Sequence, residues 1–305
     1  VNSGKLLWTG DVPTVRHSGD DEFEVMEDTG LAAGTMATDG QRVYAIFATG
    51  DLVAFDFAGK RLWHKNLGLP DSVYGYATSL ETYQDRVLVQ FDQGDSDDDT
   101  SKMLAFDGKS GQVVWEQIRP VANSWTSPIV VKVGDKDQLI TVADPWTMGY
   151  EAATGTEIWR AECAGGDLAA SPVYGGGLVY VIEPYAQMIA LRPDGQGNVT
   201  ETHIAWANED GGPDISSPVC DGEFVYHLDT MGLLMCINVK DGTLVYEHEV
   251  DEEFNASPSL VGDKLYMLDM QGTMHIGTAG KEFKALGQCP LGDKEKFVAS
   301  PAFQD

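Results

Sequence analysis

Ser-Pro pairs recur at nearly even intervals along this chain, at Ser127-Pro128, Ser171-Pro172, Ser217-Pro218, Ser257-Pro258 and Ser300-Pro301, successive pairs lying 40 to 46 residues apart. A period of that length belongs to a supersecondary unit that cannot bury its apolar face alone, so the copies must stack. Thr78-Ser79-Leu80 and Gly34-Thr35-Met36 fill the same slot earlier in the chain. Each marker is followed by a short apolar segment and a turn, the pattern of a strand that opens a repeat.

After each marker comes a run such as Arg42-Val43-Tyr44-Ala45-Ile46, Leu178-Val179-Tyr180-Val181-Ile182, Phe224-Val225-Tyr226 or Lys264-Leu265-Tyr266-Met267. Enrichment in Val, Ile, Leu and Tyr between Gly and Asp turn signals predicts a buried second strand. A third strand then enters a glycine turn followed by an aromatic, most clearly from Ala105 to Trp115 through Gly108 and Gly111. Ala54 to Trp63 and Gly149 to Trp159 repeat it, Cys236 to Tyr246 substitutes Tyr for Trp, and Trp8 and Trp206 are further members. Glycine supplies the positive φ that a tight hairpin needs, and the aromatic offers a flat surface for a neighbouring unit. Trp8, Trp63, Trp115, Trp159, Trp206 and Tyr246 are therefore assigned to structural docking, not to a cofactor site. Four strands per repeat, stacked many times, predict an all-β propeller of four-stranded antiparallel blades.

The small-x-Asp, Gly, Trp pattern resembles the tryptophan-docking motif of the pyrroloquinoline-quinone-like (PQQ-like) propellers, related in architecture to WD40 and YVTN repeats. The resemblance covers nearly the whole chain. It implies a ring of eight blades, six complete here plus partial ones at 1–13 and 297–305, with an acidic connection at 14–31; a seven-bladed ring is the alternative. Residues 1–305 are expected to form a single domain. The family holds quinoprotein dehydrogenases, an outer-membrane-assembly lipoprotein and exported bacterial propellers, so it implies a bacterial periplasmic, cell-envelope or secreted location. One fold hosts many activities, and function must come from the site.

The 305 residues carry a formal net charge of -28, and a field of that sign repels phosphate, which argues against nucleic-acid partners. Proteins and small neutral or cationic ligands remain as partners. No apolar run is long enough to cross a bilayer as a helix. The chain has no initiator Met and no secretory signal, so any targeting segment is expected upstream. Cys163, Cys220, Cys236 and Cys289 are widely spaced and are expected to be small buried apolar residues.

Catalytic signatures are absent: Gly108-Lys109-Ser110 and Gly195-Gln196-Gly197 lie in turns and lack the remaining glycines of phosphate-binding motifs, and the six histidines show no metal-ligand spacing. Asn198-Val199-Thr200 fits a glycosylation triplet but reads as an exposed hairpin. The acidic run from Asp92 to Asp99 is expected to be a charged hairpin tip, with calcium held by Asp92, Asp95, Asp97 and Asp99 as the alternative. The resemblance also raises a PQQ-dependent alcohol or sugar dehydrogenase. Such enzymes commonly carry adjacent cysteines and a calcium ion beside the quinone; no two cysteines are adjacent here, so no cofactor is expected.

The preferred expectation is a non-enzymatic ligand- or protein-binding scaffold. Loops entering each innermost strand and loops joining second to third strands should share one face around the central channel, the usual place for a ligand. They bring together Asp144, Glu183, Asp229 and Asp269 with Tyr76, Trp125, Trp146 and Tyr185. Carboxylates with aromatic faces suit a cation, a sugar or a basic peptide; Asp at a strand end equally serves turn hydrogen bonds.

Overall fold

Each repeat folds as one sheet. In the computed structural model, which describes residues 5–13, 25–26, 29–292 and 296–303, six antiparallel sheets follow one another along the chain as blades 1 to 6. Blade 1 is built from Ala37–Thr38, Arg42–Ile46, Asp51–Asp56 and Arg61–Asn66, and blade 2 from Glu81–Tyr83, Arg86–Phe91, Lys102–Asp107 and Val113–Ile118. Blade 3 comprises Ile129–Val133, Lys136–Ala143, Trp146–Glu151 and Glu157–Glu162; blade 4 comprises Val173–Gly175, Leu178–Glu183, Gln187–Leu191 and Ile204–Asn208. Val219–Cys220, Phe224–Leu228, Leu233–Asn238 and Leu244–Glu249 make blade 5, and Ser259–Val261, Lys264–Leu268, Thr273–Thr278 and Ala285–Pro290 make blade 6. Of the stretches read from sequence as partial blades, 1–13 and 297–305, the described residues 5–13 and 297–303 contain no strand. Most of the acidic connection, 14–24 and 27–28, lies outside the described residues, as do Gln304 and Asp305.

The core lies between blades, because second and third strands are covered on both faces. Val87, Val89 and Phe106 of blade 2 pack with Tyr44, Leu52 and Trp63 of blade 1. Leu88, Met103 and Ala105 turn the other way, onto Leu139, Met148 and Tyr150 of blade 3. Burial on two faces accounts for the continuous Val-Leu-Val runs where a one-faced strand would alternate.

The Ser-Pro markers form a belt. The backbone N–H of Thr35 donates to Ser79 Oγ at 3.0 Å, that of Ser79 to Ser127 Oγ at 3.0 Å, and that of Ser127 to Ser171 Oγ at 2.8 Å. Ser171, Ser217 and Ser257 continue it, donating to Ser217, Ser257 and Ser300 at 2.9, 2.9 and 3.0 Å. From Ser127 onward proline holds each serine in extended backbone, and the hydroxyl accepts from the blade before, so the dipeptide recurs for a reason of geometry.

Outer strands are locked by the docking aromatics. Trp8, Trp63, Trp115 and Trp206 lie against Gly59, Gly111, Gly155 and Gly242 in the third-to-fourth-strand hairpins of the following blades, where a Cβ would come within 2.5 to 2.7 Å of the indole. These glycines also hold φ between 68° and 82°, so close approach and backbone geometry both require them. The indole N–H groups of Trp8, Trp63 and Trp206 donate to the carbonyls of Phe57, Gly108 and Val239. Opposite each aromatic, on the third strand, stands a small residue at a β-bulge: Ala54, Ala105, Gly149, Ala190 and Cys236 face Trp63, Trp115, Trp159, Trp206 and Tyr246.

Two interfaces depart from this scheme. Trp159 is fully buried and donates to Gln138 Oε1 of its own blade at 2.8 Å. It packs against Val199, which belongs to an insertion in the blade 4 hairpin. Within that insertion Gly197–Asn198 pairs in parallel with the outermost strand of blade 3, and a short helix, Thr200–His203, follows. The Asn198 segment is exposed, as expected from its polarity, and also pairs with blade 3. At blade 6 the sizes are reversed: Ile276 faces Gly287, and Tyr246 of blade 5 meets Phe283, centroids 6.5 Å apart, in place of a glycine.

Candidate functional site: the loop face

The two sets of loops named above do share one face. Entering loops hydrogen-bond to second-to-third-strand loops: Tyr76 N–H donates to Ala48 O at 3.0 Å, Asn123 to Gly94 O at 2.9 Å, Ala122 to Asp144 O at 2.8 Å and Phe254 to Thr230 O at 3.1 Å. Each bond ties an entering loop to a second-to-third-strand loop of the same or the preceding blade.

Most of the carboxylates on this face serve the turns. Asp229 Oδ1 accepts from the N–H groups of Met231 and Leu233. Asp269 Oδ1 does the same for Gln271 and Thr273, and its other oxygen meets His275 Nε2 at 2.8 Å. Asp144, at the cis peptide bond with Pro145, accepts from Gly166 N–H at 3.1 Å, while Glu183 accepts from Gln187 Nε2. Asp at a strand end satisfies the donors of the turn after it, so the acidic ring outlined by the sequence is largely a set of turn acceptors.

Asp92 departs furthest from expectation. It is fully buried and pairs with the equally buried Arg119, whose Nη2 also donates to Thr141 Oγ1 of blade 3 at 3.0 Å. Gln90 Nε2 donates to its second oxygen at 2.8 Å. Burial pushes the Asp92 carboxyl up and Arg119 pulls against that rise; Asp92 in turn helps hold the guanidinium above its ordinary value. A carboxylate so engaged is not free for a cation. Asp95, Asp97 and Asp99 are exposed on the hairpin tip, and no metal-holding group of His, Cys, Asp or Glu occurs among the described residues. The calcium arrangement drawn from Asp92, Asp95, Asp97 and Asp99 is therefore not assembled, because the first of the four is spent inside the fold.

Of the aromatics, Tyr76 is buried and stacks on Phe91 at 5.7 Å, which makes it a packing residue. Trp125 is half-buried, edge-on to Tyr74 at 4.8 Å, with its N–H donated to Ser72 Oγ. The face of Trp146 is covered by the Arg160 guanidinium, 5.2 Å from the ring centroid. Tyr185 is different: 76% exposed, at φ 60°, it is aimed outward by its hydroxyl's bond to Asp214 at 2.8 Å. Pattern reading missed the other exposed apolar residues in the connecting loops, Leu31, Val73, Ile215, Met231 and Val298; the signal available was an apolar residue inside a Gly/Pro/Asp loop.

Cys163 and Cys236 are held as thiols, burial pushing them up to about 11 and about 12. Cys289 is exposed, against expectation, because it lies on the outermost strand of blade 6. All four cysteines are free and dispersed, one after blade 3, two in blade 5 and one in blade 6, so this set does not fit a quinone held against paired cysteines.

The family described as outer membrane protein assembly factor BamB matches residues 1–143. A curated BamB from Marinobacter adhaerens is 28% identical over 126 residues, which is 40% of this chain and 30% of that protein. The BamB structure from Moraxella catarrhalis superposes with a TM-score of 0.66 at 16% identity, over 85% of this chain and 76% of that one. This chain is a β-propeller that resembles BamB. The C-terminal WD40 domain of Sif2 also shares the fold, with a TM-score of 0.62 at 13% identity, over 88% of this chain and 74% of that one. The matched segment spans less than a third of the curated relative's length.

Proposed function

We propose that this propeller is a non-enzymatic protein-binding scaffold of the bacterial cell envelope, presenting its loop face to a partner protein in outer-membrane assembly. The observation that carries the reading is exposed apolar side chains in the connecting loops: Tyr185 and Met231 are each 76% exposed, and Ile215 is 42% exposed. Soluble proteins leave such side chains outside singly, and several on one rigid face suit a partner. The resemblance to an assembly factor supports the location and the class of partner. The carboxylates contribute shape more than charge, since the turns already engage them. A small neutral or cationic ligand at the channel is the weaker reading, because the Trp146 face is covered and Tyr76 is buried.

A photo-crosslinking amino acid placed at Tyr185 or Met231, and for comparison at the exposed outer-strand residue Val113, tests this in envelope fractions. The expected result is an adduct from the two loop-face positions with an outer-membrane-assembly protein. Equal adducts from Val113, or none from the loop face, would overturn it.

A further inference from the structure

Of the two interfaces that depart from the docking lock, the one between blades 5 and 6 holds a cavity. Gly59, Gly111, Gly155 and Gly242 each have an indole against them, whereas nothing lies within 4 Å of a Cβ placed on Gly280 in the blade 6 hairpin. Phe283 packs at a tilt against the His248 imidazole, centroids 4.2 Å apart. Between blades 5 and 6 this leaves a cleft of about 550 Å³ on the outer rim, within the range of ligand pockets. The corresponding space between blades 3 and 4 is closed by the insertion that carries Val199.

The cleft has an apolar floor and an acidic wall. Val250, Met267, Ile276 and Phe283 supply the floor, and Glu249 and Asp251 stand on the blade 5 side. Its imidazoles are engaged: His275 by Asp269 at 2.8 Å and Gln288 at 3.2 Å, His248 by Phe283. The nearby lysines are paired as well, Lys281 with Glu223 and Lys284 with Glu282. Along one side runs the outermost strand of blade 6, Ala285–Pro290, exposed at all six residues. An outermost strand of this same chain already accepts an added strand, since Gly197–Asn198 pairs with that of blade 3.

We propose that this rim cleft binds an extended peptide segment in which an apolar residue is flanked by lysine or arginine. The apolar side chain occupies the floor, the flanking cations meet Glu249 and Asp251, and the peptide backbone pairs with the edge of Ala285–Pro290. Carboxylates at a site in a chain of net charge -28 favour cationic partners both on encounter and in place. The cleft adjoins the loop face, since His275 bonds to Asp269 and Val250 N–H to Gly232 O, but it is lined by other residues and is tested by its own variants.

Fluorescence anisotropy with a labelled Lys-Leu-Lys-Phe-Lys peptide tests it against three proteins: wild type, Glu249→Lys/Asp251→Lys, and Asp97→Lys/Asp99→Lys on the blade 2 hairpin tip as a control of equal charge change. The cleft variant should bind at least tenfold more weakly and the control within twofold of wild type, and replacing the peptide's Leu and Phe with Ser should also cost at least tenfold. Urea midpoints for the three proteins verify that each is folded. Equal weakening in both variants would mean attraction to net charge alone and overturn the proposal, as would absent binding or indifference to the Ser replacements.

Discussion

His227 sits where its blade has no use for a proton. It occupies the fourth position of the second strand of blade 5, where blades 4 and 6 carry Val181 and Met267. The side chain is 2% exposed and neither ring nitrogen has a hydrogen-bond partner among the described residues. Burial alone holds its pKa down to about 4, from an ordinary 6.5. Because the folded pKa is depressed, the unfolded chain takes up the proton first as pH falls. Stability is whole above pH 6.5 and declines down to about pH 4, by about 2 kcal/mol at pH 5 and about 3 kcal/mol at pH 4.

Replacing His227 with Met, the residue of blade 6, removes this loss. Urea unfolding at pH 7, 5 and 4 should give His227→Met stability at or above wild type at pH 7, since two unpartnered nitrogens are removed. Its advantage should widen by about 2 kcal/mol at pH 5. The many carboxylates titrate over the same range in both proteins, so the difference between the two curves isolates the histidine. An advantage that stays constant from pH 7 to pH 4 would refute the reasoning, by showing that the ring finds a partner when charged.

Arg119→Met should destabilise by about 3–5 kcal/mol by stranding the Asp92 carboxylate, and Asp92→Leu in the same chain should restore most of that, both read by urea midpoint. Gly111→Ala, against the Trp63 indole at φ 68°, should cost at least about 2 kcal/mol, whereas Gly134→Ala, at φ 60° with open space, should cost only about 1 kcal/mol, compared by thermal unfolding. Ser171→Ala removes the acceptor for the Ser127 N–H and should cost about 1 kcal/mol, with Ser171→Thr nearer wild type. At Asp39, desolvation is outweighed by donors from Gln41, Tyr44 and Arg42, which bring its pKa to about 2; Asp39→Ala should therefore be destabilised by about 1 kcal/mol at pH 7, a deficit that fades below pH 3.8 and is lost near pH 2.

The blades were legible because their constraints are local. Ser-Pro, the Gly turn and the Trp that follows it lie within one repeat, and each maps onto one bond or one contact: Ser127 N–H to Ser171 Oγ, Trp63 onto Gly111. The loop-face site was only partly legible, because a residue's type does not disclose whether it is already engaged. Asp92 and Asp229 look alike in sequence, yet one is sealed with Arg119 and the other caps a turn. Arg119 follows the end of its outer strand, and nothing at that position announces that its guanidinium will fold back onto the second-to-third-strand loop.

Failures of the repeat proved more informative about function than its regular copies. Where Ala or Gly opposes Trp, the interface closes and the outer strand is spoken for. At blade 6 the pair is Ile276 opposite Gly287, so bulk has moved from the outermost strand to the third. A glycine there offers nothing flat to dock, and the preceding Tyr246 meets Phe283 instead of a bare glycine. In the blade 6 hairpin Phe283 stands where the other hairpins present a glycine to an indole, and the cleft lies between it and Ala285–Pro290. A strand edge left free invites pairing, and this one lies next to an apolar floor with carboxylates to select the charge of what pairs.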